Sequence, residues 1–169
     1  MLPLIKYPHP LLKRKLSPVE KFNSELKHIV RDMFETMYAY NGIGLAANQV
    51  GIDLQIVVVD ISYKEKNVKS TSFALINPKI LQYSSKKIDA EEGCLSFPGY
   101  YERIKRAETI EVEYFDINGK KNKIIVNNLL SRVLQHEIDH INGISFIQRM
   151  SADKRLKFYV LYFLGKHKF

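Results

Sequence analysis

Residues 127–143 read NNLLSRVLQHEIDHING. Leu129, Val133, His136 and His140 follow one another at four-, three- and four-residue spacing, so on a helix they share one face. The pattern predicts a helix from Asn127 to Ile141 that stops near Gly143, because glycine accepts the left-handed turn that ends helices. On that helix His136 and His140 stand one turn apart and can bind the same metal ion. Glu137, next to His136, can reach a water held there and act as a general base. A solvated helix with two incidental histidines is the plain alternative.

Two histidines do not complete a catalytic metal site, which takes about three protein ligands and leaves one position open. Zinc peptidases with this motif find the third ligand downstream. The position six residues after His140 is Phe146, although Gly143 stands where one peptidase class has a glycine. No glutamate follows Glu137, and Asp139, Asp153 and His167 are the downstream candidates left. Asp139 lies inside the motif, and the other two lack a supporting pattern. The third ligand is therefore expected upstream. Cys94, in Glu91-Glu92-Gly93-Cys94-Leu95-Ser96-Phe97-Pro98-Gly99, meets the need. Its flanking glycines and proline predict a bent, closely packed segment. A thiolate with two neutral imidazoles suits zinc or iron; alone, Cys94 reads as a small buried hydrophobe.

Farther out, Ser24–Tyr40 has the spacing of an amphipathic helix, with Ser24 as its N-cap and Gly42 as its terminator. Leu54–Ile61 reads as a buried strand, and Phe73–Ile76 and Lys79–Tyr83 as two more. Thr109–Phe115 alternates, Asn118-Gly119 offers a turn, and Lys123–Val126 returns as its partner. A last helix is expected over Ser151–Leu164. Leu156, Tyr159, Val160 and Phe163 would form its packing face. The fold class is α+β: antiparallel β-sheets packed around a central metal-binding HExxH helix, with N-terminal and C-terminal helices. Length suits one catalytic domain over residues 1–169, in which 151–169 form a basic C-terminal helix.

The chain carries 26 Lys and Arg against 18 Asp and Glu, a formal charge of +8. That fits an anionic surface such as ribosomal RNA, or simply a solvated lysine-rich exterior. No apolar run approaches the roughly 18 residues of a membrane span. Pro3, Pro8 and Pro10 interrupt any signal-peptide core, and the lone cysteine forms no intrachain disulfide. A cytoplasmic location follows, with no membrane and no DNA partner expected.

Three segments together, Gly42-Ile43-Gly44-Leu45-Ala46-Ala47-Asn48-Gln49, Glu92-Gly93-Cys94-Leu95-Ser96 and Gln135-His136-Glu137-Ile138-Asp139-His140, resemble the peptide deformylases in content, order and separation. So does Tyr7-Pro8 ahead of the first helix, and the likeness runs from about Leu4 to Met150. The resemblance implies a bacterial metallohydrolase that removes the formyl group from the N-terminal formylmethionine of new polypeptides and releases formate. It implies that Cys94, His136 and His140 bind one metal, Fe2+ before Zn2+, Ni2+ or Co2+. Glu137 would be the acid and base, and Gln49 and the Leu95 N–H would polarise the formyl oxygen. Ile43, Gly44, Glu92 and Gly93 would lie along the peptide, while Leu129 and Val133 line a slot for methionine. Arg132, one turn before His136, would make the rim of that slot less apolar. Arg106 and Asp139 stand where the family has them, and an ion pair between them is expected. Seven residues after Cys94, where many bacterial members carry arginine, stands Tyr101, with Arg103 nearby.

The rivals are an HExxH peptidase of ordinary peptide bonds, a basic RNA-binding module, and a relative that has lost activity. The absent downstream ligand opposes the first, the single cysteine opposes a closed thiolate-rich structural site in the second, and three complete motifs oppose the third. In some family members a C-terminal helix docks on the ribosome, so the basic 151–169 segment is a candidate ribosome contact.

Overall fold

The computed structural model describes residues 1–62 and 72–165. Its elements are α1 (Ser24–Ala39), β1 (Gly44–Ala46), β2 (Ile56–Val59), β3 (Phe73–Tyr83), β4 (Lys87–Gly93), β5 (Tyr101–Ala107), β6 (Thr109–Phe115), β7 (Lys121–Asn127), α2 (Asn128–Ile141) and α3 (Ala152–Phe163). The fold is α+β. Five antiparallel strands form one sheet in the order β1-β2-β3-β6-β7, and β4 and β5 form a separate hairpin.

Helix α2 is the centre of the molecule. Every residue from Ser131 to Ile141 is buried, so it is enclosed on all sides rather than on one stripe. Its apolar side, Leu134, Ile138 and Ile141, joins Met33 and Met37 of α1 and Ile56, Val57, Val58 and Val59 of β2 in the main core. Gly143, at φ 74°, ends the helix. A Cβ there would lie 2.7 Å from the Lys13 carbonyl oxygen, so both backbone and neighbour require glycine.

Several element boundaries differ from the sequence expectation. The α1 cap is Asn23, whose side chain accepts the Leu26 N–H at 3.1 Å, rather than Ser24. The left-handed residue after α1 is Asn41 (φ 55°), not Gly42. The two strands expected around Asn77-Pro78 are one strand, β3, with a register shift between Ile76 and Lys79. Pro78 lacks the N–H that would continue the ladder, and the Asn77 side chain instead bonds both N–H and carbonyl of Val19.

The face expected to seat α3 is used only in part: Tyr159 packs against the second core, while Leu156, Val160 and Phe163 are exposed. Phe158 is fully buried, whereas Leu156 is 65% and Phe163 82% exposed. Phe158 enters a second core with Tyr7, Leu12, Phe97, Ile104 and Phe146, and its ring meets those of Tyr7, Phe97 and Tyr100. Aromatic edges and faces meeting in such a cluster hold the helix on this side. No helix of the described residues is long and apolar enough to cross a membrane.

Candidate metal centre and active site

Helix α2 supplies His136 and His140, and the turn that closes the β4–β5 hairpin supplies Cys94. Phe97 N bonds Cys94 O at 2.9 Å, which folds that turn back on itself, and Phe97 anchors it in the second core. The donor atoms of Cys94, His136 and His140 all lie within 4.8 Å of one another. Cys94 Sγ is 3.2 Å from His140 Nε2, and the two Nε2 atoms are 3.2 Å apart. Tetrahedral coordination at ordinary metal–nitrogen and metal–sulfur distances spaces such donors by about 3.3 and 3.6 Å. The trio therefore fits one small divalent ion with little movement. Burial holds His140 well below the usual imidazole pKa, in the neutral form that a ligand needs.

The ring of His136 is oriented from behind. Its Nδ1 lies 3.0 Å from Glu92 Oε2, so Nε2 is the nitrogen turned toward Cys94 and His140. Glu92 is itself held by Arg106 Nε at 2.9 Å and by Arg132 Nη1 at 2.6 Å. Burial pushes the Glu92 carboxyl up, but hydrogen bonds from His136 and Arg106 outweigh it and bring the pKa down to about 2. Arg106 also pairs with Asp139, as the sequence suggested, and Asp139 pairs with Arg149. Arg132 lines the cavity beside Leu129 and Val133, as expected, while its guanidinium is turned back against β4 and β5.

Glu137 lies on the cavity side of α2. Burial raises its carboxyl to about 7, the charge on His136 opposing. Among the described residues its Oε2 has no hydrogen-bond partner, an unusual state for a buried polar atom and one that suits a proton carrier. Gly44 makes room for it. A Cβ at that position would stand 2.7 Å from Glu137 Oε1 and 2.7 Å from Val133 Cγ1. Gly42 is likewise confined: a Cβ there would stand 2.9 Å from Leu95 Cδ1. These glycines admit close neighbours within the protein, whatever they also allow a ligand.

Gln49 is oriented by the backbone three residues before it. Its Oε1 accepts the Ala46 N–H at 2.8 Å, which turns the Nε2 donors toward Cys94 Sγ at 3.5 Å and Ser96 Oγ at 3.4 Å. Ile43, Gly44, Gln49, Glu92, Gly93, Cys94, Leu95, Leu129, Val133, His136 and Glu137 line one cavity of about 720 Å3, and buried His140 lies behind it. With the Glu92 carboxylate committed to His136 and two arginines, a contact from Glu92 to a ligand falls to its main chain. Tyr101 lines the same cavity and is exposed. Its ring covers Gly93, where a Cβ would meet it at 2.5 Å. The bonds of Arg132 and the place of Ser96 were not apparent in the sequence. A basic residue one turn before a metal-binding histidine was the available signal for the first, and nothing marked the second.

The arrangement can hold a divalent ion, carry a proton at Glu137 and offer amide donors to an oxygen that gains charge. Comparison with known proteins agrees with it. The sequence profile of the polypeptide deformylase family matches residues 1–156. A peptide deformylase of Thermodesulfovibrio yellowstonii is 46% identical over 155 residues, 92% of each chain. One of Brucella suis is 45% identical over 153 residues, 90% of this chain and 86% of its own. The crystal structure of a peptide deformylase from Synechococcus elongatus in complex with actinonin superposes with a TM-score of 0.87 at 37% identity, over 97% of this chain and 88% of that one.

Proposed function

From the premise that this chain belongs to the peptide deformylase family, and so removes the formyl group from the N-terminal methionine of newly synthesised polypeptides, we propose how its residues divide that hydrolysis. The enzyme is metal-dependent, and Cys94, His136 and His140 hold one divalent ion. When bound, the ion acidifies water and polarises the formyl carbonyl as a Lewis acid. The ion is Fe2+, in line with the family resemblance; the same donors also accept Zn2+, Ni2+ and Co2+. Metal analysis after anaerobic purification tests this, and a preparation that holds zinc alone would overturn it.

Glu137 takes a proton from the attacking water and returns it to the departing amine, which leaves formate and a free N-terminus. A buried carboxyl on the cavity wall, with an oxygen that has no hydrogen-bond partner among the described residues, can take up and release that proton. The Gln49 amide and the Leu95 N–H donate to the formyl oxygen as negative charge builds there. Losing one such donor costs about 100- to 1000-fold in rate. Leu129 and Val133, one turn apart on the cavity face of α2, receive the methionine side chain. The peptide runs between Ile43-Gly44 and Glu92-Gly93. In support, β1 is an edge strand of its sheet, and an edge has main-chain groups to offer an added strand.

The convergence of Cys94, His136 and His140 within 4.8 Å, at the wall of a cavity that also holds Glu137, carries this assignment of roles. Assay of a formyl-methionyl tripeptide beside its acetylated and unblocked forms tests the specificity. Formate release from the first and no cleavage of the others is expected, and cleavage of an internal peptide bond would contradict it. The whole chain, 1–169, acts as one catalytic unit in a bacterial cytoplasm. Its α3 region docks on the ribosome by charge: Lys154, Arg155 and Lys157 belong to α3, and Lys166 and Lys168 lie outside the described residues. Removing residues 165–169 is expected to weaken ribosome co-sedimentation in a salt-dependent way and to leave turnover of a short formyl peptide unchanged. Undiminished co-sedimentation at low salt would sink the ribosome contact alone.

A further inference from the structure

The hairpin β4–β5 shares no ladder with the five-stranded sheet, yet Cys94 follows directly from β4, while both histidines ride on α2. What fastens hairpin to helix therefore sets the distance between thiol and imidazoles. Among the described residues, the α2 side chains hydrogen-bonded to β4 are Arg132 and His136. Arg132 Nη1 donates to Ile104 O at 2.9 Å, to Ala90 O at 3.3 Å and to Glu92 Oε1 at 2.6 Å, and Nη2 donates to Ile88 O at 2.6 Å. One guanidinium thus binds three carbonyls on both strands and the carboxylate that orients His136. Its side chain is 10% exposed. The planar fork suits this task, since its donors point along fixed, separate directions, whereas a lysine ammonium concentrates its donors at one point.

We infer that Arg132 is a positioning residue for the metal centre: it fixes the stretch of β4 that leads to Cys94, from Ile88 to Glu92, against α2. The inference rests on the ligand set proposed above. The far end of the hairpin is held separately. The Ala107 carbonyl accepts from Ser131 Oγ at 3.0 Å and Gln135 Nε2 at 2.9 Å, and the Ala107 N–H donates to Gln135 Oε1 at 3.1 Å. Arg106 still spans Glu92 and Asp139 when Arg132 is altered. Loss of the Arg132 fork therefore leaves the hairpin attached at Ala107, with the Glu92–His136 bond as the remaining side-chain tie from β4 to α2 among the described residues, and lets the Gly93 end, where Cys94 begins, swing about the Ala107 attachment.

The test uses the full chain, stripped of metal and reloaded with Co2+. Its visible ligand-field bands and near-ultraviolet thiolate-to-cobalt band report the ligands directly, and chelator competition gives the Kd. Wild type is expected to show the thiolate band at one equivalent. Arg132→Lys is expected to fold by circular dichroism, to show a weakened or shifted thiolate band, and to bind Co2+ about 10- to 100-fold less tightly. Methylguanidinium is expected to restore the band in Arg132→Ala where equal methylammonium does not. Should Arg132→Ala fail to fold, Arg132→Lys decides alone. Leu26→Ala, a core truncation in α1, controls for general destabilisation and is expected to keep wild-type band and Kd. A wild type with no thiolate band removes the ligand set, and the inference with it. A normal wild type beside an Arg132→Lys variant with unchanged band and Kd overturns the role of Arg132 alone. So does equal weakening by Leu26→Ala, or equal rescue by the two cations.

Discussion

Glu137 is 5% exposed, and it fits because residue 44 has no side chain. Adding one methyl group in Gly44→Ala puts a carbon against both Glu137 Oε1 and Val133 Cγ1. Overpacking of this kind costs about 1–3 kcal/mol, and here it also displaces the Glu137 carboxyl, the proposed proton carrier. Gly44→Ala is therefore expected to lower the urea midpoint and to depress kcat more than it raises KM; an unchanged kcat would separate Glu137 placement from residue 44. Cys94→Ala removes one of three converging donors, so bound metal is expected to fall with rate, as measured by metal content after dialysis. Retained stoichiometry would mean another third ligand. The convergence of Cys94, His136 and His140 was legible because a four-residue spacing on a helix needs no knowledge of the fold, and because one cysteine leaves little choice upstream. The arginine contacts were not legible. Arg132 binds main-chain carbonyls some 30 to 40 positions away, and a carbonyl has no sequence signature.

At the scale of elements, α1, β6, β7 and α2 were readable to within a few residues from the spacing of their apolar positions, and β2 from its unbroken apolar run. The hairpin β4–β5 was not. Its inward positions include Glu92 and Arg106, both buried, so the alternation that marks a half-buried strand is overwritten by charges that pair with each other. Helix α3 misled for the opposite reason: it is apolar on more than one side, and the ring cluster chose Phe158. Phe158→Ala is expected to cost about 3–5 kcal/mol, whereas Leu156→Ala on the exposed side should change stability by less than about 0.5 kcal/mol, both read by denaturant unfolding; the reverse order would restore the sequence-derived face. A pH dependence tests the junction of α1 with the end of β2. Tyr38 Oη donates to Asp60 Oδ2 at 2.7 Å. Burial first, then Asp60, raises the phenol to about 12 in the fold from 10.0. The folded state thus keeps this proton more tightly than the unfolded chain, so its contribution is complete below about pH 10 and fades as pH rises toward 12. Tyr38→Phe is expected to flatten part of the alkaline loss of stability between those values, and an unchanged alkaline profile would remove the bond from the account.

For the molecule as a whole, two cores meet at the catalytic centre. The main core seats α2 and with it both histidines and Glu137. The aromatic core seats the turn that carries Cys94, and Phe146 places its ring 5.8 Å from that of His136. The candidate ligands therefore converge where two packed clusters meet, so intact packing is a condition of metal binding there and metal binding in turn favours the packed state. The most direct test of this account is one titration. Metal-free wild type and Glu137→Gln are titrated with Fe2+ under anaerobic conditions, with bound metal and formate release from a formyl-methionyl tripeptide measured on the same samples. The expected result is one bound ion per chain in both proteins. Formate release should rise in proportion to bound metal in wild type and fall at least about 100-fold in Glu137→Gln. Formate release by metal-free wild type, or near wild-type turnover by metal-loaded Glu137→Gln, would contradict the division of labour between the three ligands and the carboxylate beside them.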